Sequence, residues 1–304
     1  MHSLLTLSCL LSVIVSSQAK LTWGNTKFLF VFGDSYTTTG FNISAGIDSV
    51  DPGNVSSNGP NWVQALRDTF NVAGTKIFDL ASGGATIDSA LVTPFEPTVL
   101  SVVDQVAQFK TFLASKPPGA EWNSSNALFA VWIGINDCGN AFSFTNTTQP
   151  AFNKILMNRL ASQIEELYSF GARSFLFLTV PPVNRAPLFL VQGQAVTSLL
   201  ASDIKNYNLQ LTETMTGLQA SHKGLEVTIF DTQPVFNTLL DEAKTFGFVN
   251  STGFCDAYQN GTPAQSTQIA PCAPVSTYFW LNSLHPLFTV HSILAHAITT
   301  VISA

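Results

Sequence analysis

Five short and almost unbroken apolar runs restrict the fold of this chain more than any other feature of its sequence. They are rich in Val, Ile, Leu and Phe, and they occupy residues 27–32, 76–80, 127–133, 173–180 and 225–231. Continuous apolar runs of this length are typical of strands that are buried on both faces, as in a parallel sheet between two layers of helices. Parallel strands need a crossover between them, and every interval between the runs is long enough for one.

Apolar residues at helical spacing lie between these runs. The spacing predicts helices over residues 61–70, 151–170, about 194–218, and the C-terminal segment from residue 286. Alternating strands and helices predict an α/β fold with a mostly parallel five-stranded sheet and right-handed crossovers. With 304 residues, 46% of them hydrophobic and 11% charged, the chain can build a large core. No internal repeat, flexible linker or charge run divides it, so we expect one catalytic domain over residues 20–304.

The first 19 residues predict a secretory signal peptide. The apolar stretch from Leu4 to Val15 is too short to span a bilayer, and small residues follow at Ser17 and Ala19, at the spacing of a cleavage site. A buried first helix is the alternative. Six Asn-x-Ser/Thr sequons favour the secreted, extracellular glycoprotein. The predicted glycosylation sites are Asn42, Asn54, Asn123, Asn146, Asn250 and Asn260.

The charge of the chain argues against two classes of partner. The formal net charge is −6, and the sequence contains no cluster of Lys and Arg that could form a basic surface. Nucleic acids and anionic membranes both attract basic surfaces, so neither is an expected partner. Nothing in the sequence indicates an oligomer, and a monomer is expected.

The cysteines allow one internal disulfide after signal cleavage. Cys9 lies in the signal, which leaves Cys138, Cys255 and Cys272. The last two flank a loop rich in Pro, Ser, Thr and Gln, and a bridge between them would close it. We therefore predict the pair Cys255–Cys272 and a buried free thiol at Cys138.

Polar residues with catalytic chemistry follow the first three predicted strands and precede the last helix. The first strand leads into Gly-Asp-Ser with Ser35, the second into ASGGATID with Gly84, and the third into GINDCGN with Asn136; His285 lies in YFWLNSLHP. Carboxyl ends of parallel strands meet at one edge of a sheet. A nucleophile, a base and oxyanion donors would thus meet there, which indicates acyl transfer. Each residue alone also has a structural explanation, as a turn, packing, capping or core residue.

The blocks FGDSYTTTGFN, SNGPNWVQAL, LASGGATID, WIGINDCGN and FWLNSLHP resemble the GDSL, or SGNH, hydrolase superfamily. They are most similar to the fungal acetyl esterases of carbohydrate esterase family sixteen. The resemblance implies a flavodoxin-like three-layer α/β/α sandwich without a metal or organic cofactor. It also implies a secreted serine esterase that hydrolyses acetyl esters of sugars and oligosaccharides from plant cell walls through an acyl-enzyme.

The resemblance assigns a role to each of four residues. Ser35 matches the nucleophile, and His285 matches the base that deprotonates it and then protonates the leaving alcohol. The backbone N–H groups of Ser35 and Gly84 and the side-chain amide of Asn136 match the oxyanion hole.

One position departs from the family pattern. The superfamily usually has Asp three residues before its histidine, whereas this chain has Asn282 three residues before His285. The carboxylate that would orient the imidazole is therefore missing from its usual position. Asp137, Asp231 or Asp256 could replace it, and the sequence does not decide among them.

Two other functions remain open from the sequence. A GDSL lipase or phospholipase would act on longer acyl esters, but the polar run Thr37-Thr38-Thr39 beside Ser35 favours a short acyl group. A non-catalytic sugar-binding descendant is suggested only by Asn282. No carbohydrate-binding module is recognisable, so a small acetylated sugar or soluble oligosaccharide is a better expected substrate than an insoluble polymer.

Overall fold

The computed structural model describes residues 21–304, so the predicted signal peptide, residues 1–19, lies outside the described residues. Five strands form one parallel sheet in the order β2-β1-β3-β4-β5. This is the flavodoxin-like order, and the predicted fold class is confirmed. Each predicted run overlaps one strand, and β1 extends one residue beyond its run, to Gly33. The strands are β1 (Phe28–Gly33), β2 (Lys76–Asp79), β3 (Ala127–Trp132), β4 (Ser174–Leu178) and β5 (Glu226–Phe230).

In residues 21–304, eight α-helices pack in two layers on the sheet. They are α1 (Trp62–Asp68), α2 (Val102–Phe112), α3 (Ile135–Ala141), α4 (Gln149–Ser169), α5 (Pro187–Leu190), α6 (Gln194–Ser221), α7 (Thr232–Asp241) and α8 (Phe288–Ile302). In one layer α4 packs against α2 and α6, and in the other α8 packs against α1 and α7. The four predicted helices correspond to α1, α4, α6 and α8, whereas α2, α3, α5 and α7 were not predicted.

The register of the sheet builds an aromatic core on one face. Phe30 of β1 pairs with Phe78 of β2 and with Phe129 of β3, and Phe129 pairs with Phe175 of β4. Successive rings in this row have centroids 5.4, 4.9 and 5.4 Å apart. Phe109 of α2 packs edge-on against Phe30 and Phe129. Contacts of this kind add roughly 0.5–1.5 kcal/mol per pair to the hydrophobic gain, and they hold the strands whose ends form the site.

A second, smaller apolar cluster supports the segment before α8. A disulfide joins Cys255 and Cys272 in this cluster. Leu281 and Leu287 are buried in it, and they flank His285 on either side. The cluster thus holds the chain that presents the histidine. Cys138 lies in α3 as a buried free thiol, and burial raises the pKa of this thiol.

The sequon asparagines differ in exposure. Five of them are exposed: Asn42, Asn54, Asn123, Asn146 and Asn260. Asn250 is half-buried, and its side-chain oxygen accepts hydrogen bonds from the N–H groups of Thr252 and Gly253. Glycosylation stays a prediction at all six. Within residues 21–304, no helix combines the length and the hydropathy needed to cross a membrane.

Candidate active site

The turn that presents Ser35 begins where β1 ends at Gly33. The N–H of Gly33 donates to Oε1 of Gln105 at 2.9 Å, and its carbonyl accepts from Nε2 of Gln105, also at 2.9 Å. A side chain at Gly33 would meet the carbonyl oxygen of Trp132 on β3. Glycine is required here because neighbouring backbone approaches so closely. The chain then bends, and Ser35 lies partly exposed at the carboxyl edge of the sheet.

Asp34 fixes the shape of this turn from inside the protein. Its Oδ1 accepts a hydrogen bond from the N–H of Tyr36 at 2.9 Å, whereas its Oδ2 is buried without a partner. Burial raises the pKa of Asp34 to about 7. The hydroxyl of Tyr36 donates to the carbonyl of Leu284 at 2.6 Å. The turn at Ser35 is thereby tied directly to the loop that presents His285.

The side chain of Asn282 organises the histidine loop. Its Oδ1 accepts hydrogen bonds from the N–H of Leu284 at 3.0 Å and from the N–H of His285 at 2.9 Å. Asn commonly stabilises turns in this way, by accepting from backbone two or three residues further on. Two backbone donors on one atom identify that atom as the carbonyl oxygen and fix the orientation of the amide.

The oriented amide also sets the protonation of the imidazole. Oδ1 of Asn282 lies 3.0 Å from Nδ1 of His285, and Nε2 of His285 lies 2.8 Å from Oγ of Ser35. Because Oδ1 can only accept, Nδ1 holds the proton and Nε2 is free to accept the proton of the Ser35 hydroxyl. The three side chains predicted for catalysis therefore meet in the geometry of a nucleophile, a base and an orienting group.

His285 is suited to act as a base at neutral and acidic pH. Burial lowers the pKa of its imidazole to about 4. A second histidine, His291, is buried nearby, and its ring centroid lies 6.1 Å from that of Tyr36. Burial, with a smaller contribution from His285, lowers the pKa of His291 to about 3. Both rings are therefore neutral over most of the physiological range.

The loop that contains Gly84 adjoins the turn at Ser35, because the N–H of Ser82 donates to the carbonyl of Gly33 at 3.1 Å. Asn136 donates from Nδ2 to the carbonyl of Ala85 at 2.8 Å, which places its amide beside the loop that contains Gly84. Among the described residues, no backbone or side-chain acceptor takes a hydrogen bond from the N–H of Ser35 or of Gly84. Two free backbone donors at such a turn are what an oxyanion hole requires.

The structure distinguishes Gly84 from its neighbour Gly83. Gly84 is buried with φ of +80°, and a Cβ there would clash with the ring of Phe95. Gly83 does not have a positive φ, and a Cβ there would meet nothing within 4 Å. The positive φ therefore favours glycine at Gly84, whereas the clash alone could be relieved by movement of the exposed Phe95 ring.

None of the three acids considered as substitutes for the missing carboxylate hydrogen-bonds His285 in the described part of the chain. Asp137 accepts the N–H of Ile87 at 3.0 Å, and burial raises its pKa to about 7. Asp231 caps α7, and Asp256 begins a short 3-10 helix. Asn282 is the residue that orients the imidazole.

Residues 29–298 match the GDSL-like lipase/acylhydrolase family. The chain belongs to this family. The resemblance found in the motif blocks is confirmed, and with it the class of carboxylic ester hydrolases. An acetylesterase of Thermothelomyces thermophilus is 34% identical over 286 residues, which cover 90% of this chain and 87% of the relative. The Arabidopsis thaliana GDSL esterase/lipase EXL4 is 30% identical over 228 residues, 68% of this chain and 62% of the relative.

Solved structures similar to this GDSL hydrolase support the fold. The acetylxylan esterase Axe2 of Geobacillus stearothermophilus superimposes with a TM-score of 0.51 at 14% identity, over 93% of this chain and 97% of Axe2. LAE5, an alpha/beta hydrolase from the metagenome of Lake Arreo, gives a TM-score of 0.51 at 16% identity, over 91% and 94% of the two chains.

A groove of about 310 Å³ opens beside the site of the hydrolase. It reaches from Asn136 on α3 to Leu284, the residue before His285. Its remaining walls come from α3, the turn after it, and α5, and they mix apolar with amide and hydroxyl side chains. The other lining residues are Ile135, Gly139, Asn140, Phe142, Ser143, Leu188, Phe189 and Gln192.

The groove contains residues that sequence reasoning missed, because α5 was not predicted. A larger cavity of about 730 Å³ lies between α6 and α7, and it is lined by none of Ser35, Gly84, Asn136, Asn282 and His285. The groove beside Asn136 contains one predicted oxyanion donor and Leu284, the neighbour of His285, so it is the better candidate of the two to bind an ester. In residues 21–304, no cluster of three or more His, Cys, Asp or Glu side chains is arranged to hold a metal ion.

Proposed function

We propose that this protein is a secreted acetyl esterase that removes acetyl groups from sugars and oligosaccharides derived from plant cell walls. The observation that carries the proposal is the hydrogen-bonded chain from Ser35 through His285 to Asn282, with two free backbone N–H groups beside the nucleophile. This arrangement contains each part that acyl transfer through a serine ester needs.

The reaction begins when Oγ of Ser35 attacks the acetyl carbonyl while Nε2 of His285 takes its proton. The negative oxygen of the tetrahedral intermediate is bound by the N–H groups of Ser35 and Gly84 and by the amide of Asn136. The C–O bond to the sugar then breaks, and His285 returns the proton to the departing hydroxyl. Water, deprotonated by His285, attacks the acetyl-serine. As the second intermediate collapses, its bond to Oγ breaks, His285 returns the proton to Oγ of Ser35, and acetic acid leaves and ionises to acetate.

The acetylesterase relative favours an acetyl group as the acyl part of the substrate, and the groove favours a sugar as its alcohol part. The Thermothelomyces relative is an acetylesterase and is 34% identical to this chain over the 286 aligned residues. The side chains of Asn140, Ser143 and Gln192 bring donors and acceptors for sugar hydroxyls to a groove that is otherwise apolar. Sites for small polar ligands commonly combine an apolar lining with a few such groups.

The structure changes one argument made from the sequence. Thr37 and Thr39 are buried, and the hydroxyl of Thr37 accepts a hydrogen bond from the indole of Trp62 at 3.2 Å. Two of the three threonines therefore pack inward instead of lining a path for an acyl chain, and only Thr38 is partly exposed. The preference for a short acyl group then rests on the acetylesterase relative alone.

Chain-length profiling tests the proposal. With 4-nitrophenyl esters from acetyl to octanoyl, kcat/KM is expected to be highest for acetyl, because each extra methylene in a tight pocket changes the transition-state energy by roughly 1–3 kcal/mol. Acetylated xylooligosaccharides should release acetate under the same conditions. A preference for octanoyl esters would instead support the lipase. Full activity in the Ser35→Ala variant would refute the serine mechanism.

Secretion is tested separately. Expression of the full chain in a eukaryotic host should place the enzyme in the medium with an N-terminus at Lys20. Its mass should fall on treatment with an enzyme that removes N-linked glycans. Intracellular retention with an intact N-terminus would favour the alternative of a buried first helix.

A further inference from the structure

A large exposed aromatic ring lies at the edge of the active site. Phe95 is 71% exposed, and its ring sits directly on Gly84, where an added Cβ would clash with it. Gly84 supplies one of the proposed oxyanion donors. The ring is therefore next to the position where the ester carbonyl would bind, with most of its surface in solvent.

The loop that contains Phe95 is anchored at both ends. Val92 and Val99 are buried, and the carbonyl of Val92 accepts the hydroxyl hydrogen of Thr86 at 3.0 Å. Pro94 and Pro97 flank the segment at its apex, and each fixes its own φ. The ring thus stays exposed on a loop whose base is fixed.

Phe95 and the groove beside Asn136 belong to one surface. The side-chain amide of Asn140, which lines the groove, donates to the carbonyl of Thr93 at 3.5 Å. Thr93 is two residues before Phe95. A substrate that extends from the groove toward the loop would therefore pass over the ring.

We propose that Phe95 determines substrate choice by stacking on a pyranose ring of the sugar that leaves after deacetylation. One face of a pyranose is made largely of C–H bonds. Their partial positive charge faces the electron-rich surface of a phenyl ring, and the contact removes apolar area of both from water. The proposal rests on the sugar acetyl esterase function proposed above, and it adds the residue that recognises the sugar.

The test compares an ester whose alcohol contains a sugar with one whose alcohol does not. For Phe95→Ala, kcat/KM on acetylated xylooligosaccharides should fall about tenfold, which corresponds to about 1.4 kcal/mol, mainly through KM. Activity on ethyl acetate should remain close to wild type. Phe95→Trp should retain activity on both, because the indole also offers a flat face. Phe246→Ala, which removes an exposed ring after α7, is the matched control and should change neither.

Three results would overturn the proposal. An equal loss on both substrates in Phe95→Ala would mean that the ring only supports Gly84. A larger loss on an octanoyl ester than on the sugar ester would mean that the ring contacts the acyl chain. An unchanged affinity for acetylated xylooligosaccharide, measured by calorimetry for Ser35→Ala with and without Phe95→Ala, would exclude stacking in the bound state. Failure of the proposed function looks different, because the wild type would then hydrolyse ethyl acetate but not the sugar ester.

Discussion

Replacing Asn282 by Asp should make the enzyme faster at neutral pH. In a serine-protease triad, the reverse change from Asp to Asn lowers kcat about 10⁴-fold because it leaves the histidine in the wrong tautomer. That loss does not apply here. Oδ1 of Asn282 accepts from two backbone N–H groups and from Nδ1 of His285, so the tautomer is already correct. The substitution adds only a negative charge.

The size of the gain follows from the position of that charge. A carboxylate about 4 Å from the imidazolium, at an effective dielectric constant of about 20, attracts it by about 4 kcal/mol. Removing the carboxylate from water offsets much of this attraction. If a third of it remains in the transition state, the barrier falls by ~1.4 kcal/mol and the rate rises about tenfold.

The same charge should change the pH profile. Burial lowers the pKa of His285 to about 4, so the wild type should keep its base unprotonated well into the acidic range. A stabilisation of ~1.4 kcal/mol raises that pKa by about one unit. The acidic limb of the kcat/KM profile should therefore shift to higher pH by the same amount. The variant should therefore be about tenfold faster near pH 7, and the two profiles should converge near pH 4.

The assay is kcat/KM on 4-nitrophenyl acetate from pH 4 to pH 9 for both proteins. Ser283→Asp is the matched control, because it adds the same charge one residue away from the amide that contacts the imidazole. It should leave the rate and the acidic limb near wild type. An Asn282→Asp variant that is no faster at any pH would show that the amide already completes the site, and our account of Asn282 would then be wrong.

Three further predictions concern the nucleophile, the oxyanion hole and the disulfide. Ser35→Ala should abolish esterase activity while the far-ultraviolet circular dichroism is unchanged, because the partly exposed turn tolerates alanine. Gly84→Ala keeps the backbone N–H, but it strains a backbone held at φ of +80°; if the strain moves this donor out of place, kcat should fall by about 10²-fold, whereas Gly83→Ala should remain close to wild type. Replacing both Cys255 and Cys272 by Ser should lower the free energy of unfolding by about 3 kcal/mol in urea titrations, because the bridge closes a loop of 17 residues.

Each of these has a clear contrary result. Labelling of Ser35→Ala by a serine-directed phosphonate, with activity retained, would move the nucleophile elsewhere. Equal loss in Gly83→Ala and Gly84→Ala would mean that the loop as a whole, and not one N–H, is needed. An unchanged urea midpoint without the disulfide would show that the apolar cluster around it is stable by itself.

The sheet was predictable because its strands are continuous apolar runs. Apolar periodicity did not predict helices that begin inside polar functional motifs. α3 starts at Ile135 within GINDCGN, whose glycines and polar residues are typical of a loop. For α2 and α7 a usable signal existed. Ser101 and Asp104 form a capping box at the start of α2, and Asp231 caps α7. Reading the caps before the periodicity would have found both helices.

The positions of the site residues along the chain were predictable, but their supports were not. Parallel strands bring Ser35, Gly84 and Asn136 to one edge whatever else the chain does. Gln105, in contrast, holds Gly33 from 72 residues away, and no local pattern indicates that pair. Phe95 is similar, since its contact with Gly84 depends on how the loop folds back. Contacts of this kind arise from tertiary packing and leave no periodic signal in the sequence.

The third member of a catalytic triad has two separable tasks, and Asn282 can perform only one of them. One task is to fix the tautomer and direction of the imidazole, which needs only an acceptor held in place. Backbone N–H groups hold Oδ1 of Asn282 for this purpose. The other task is to stabilise the imidazolium, which needs a charge. A charge also raises the pKa of the base and so removes the unprotonated form in acid. In the proposed mechanism, the amide therefore performs only the first task. It gives up transition-state stabilisation at neutral pH, where His285, whose pKa burial lowers to about 4, is unprotonated in either protein, and the difference disappears in acid, where the two pH profiles converge.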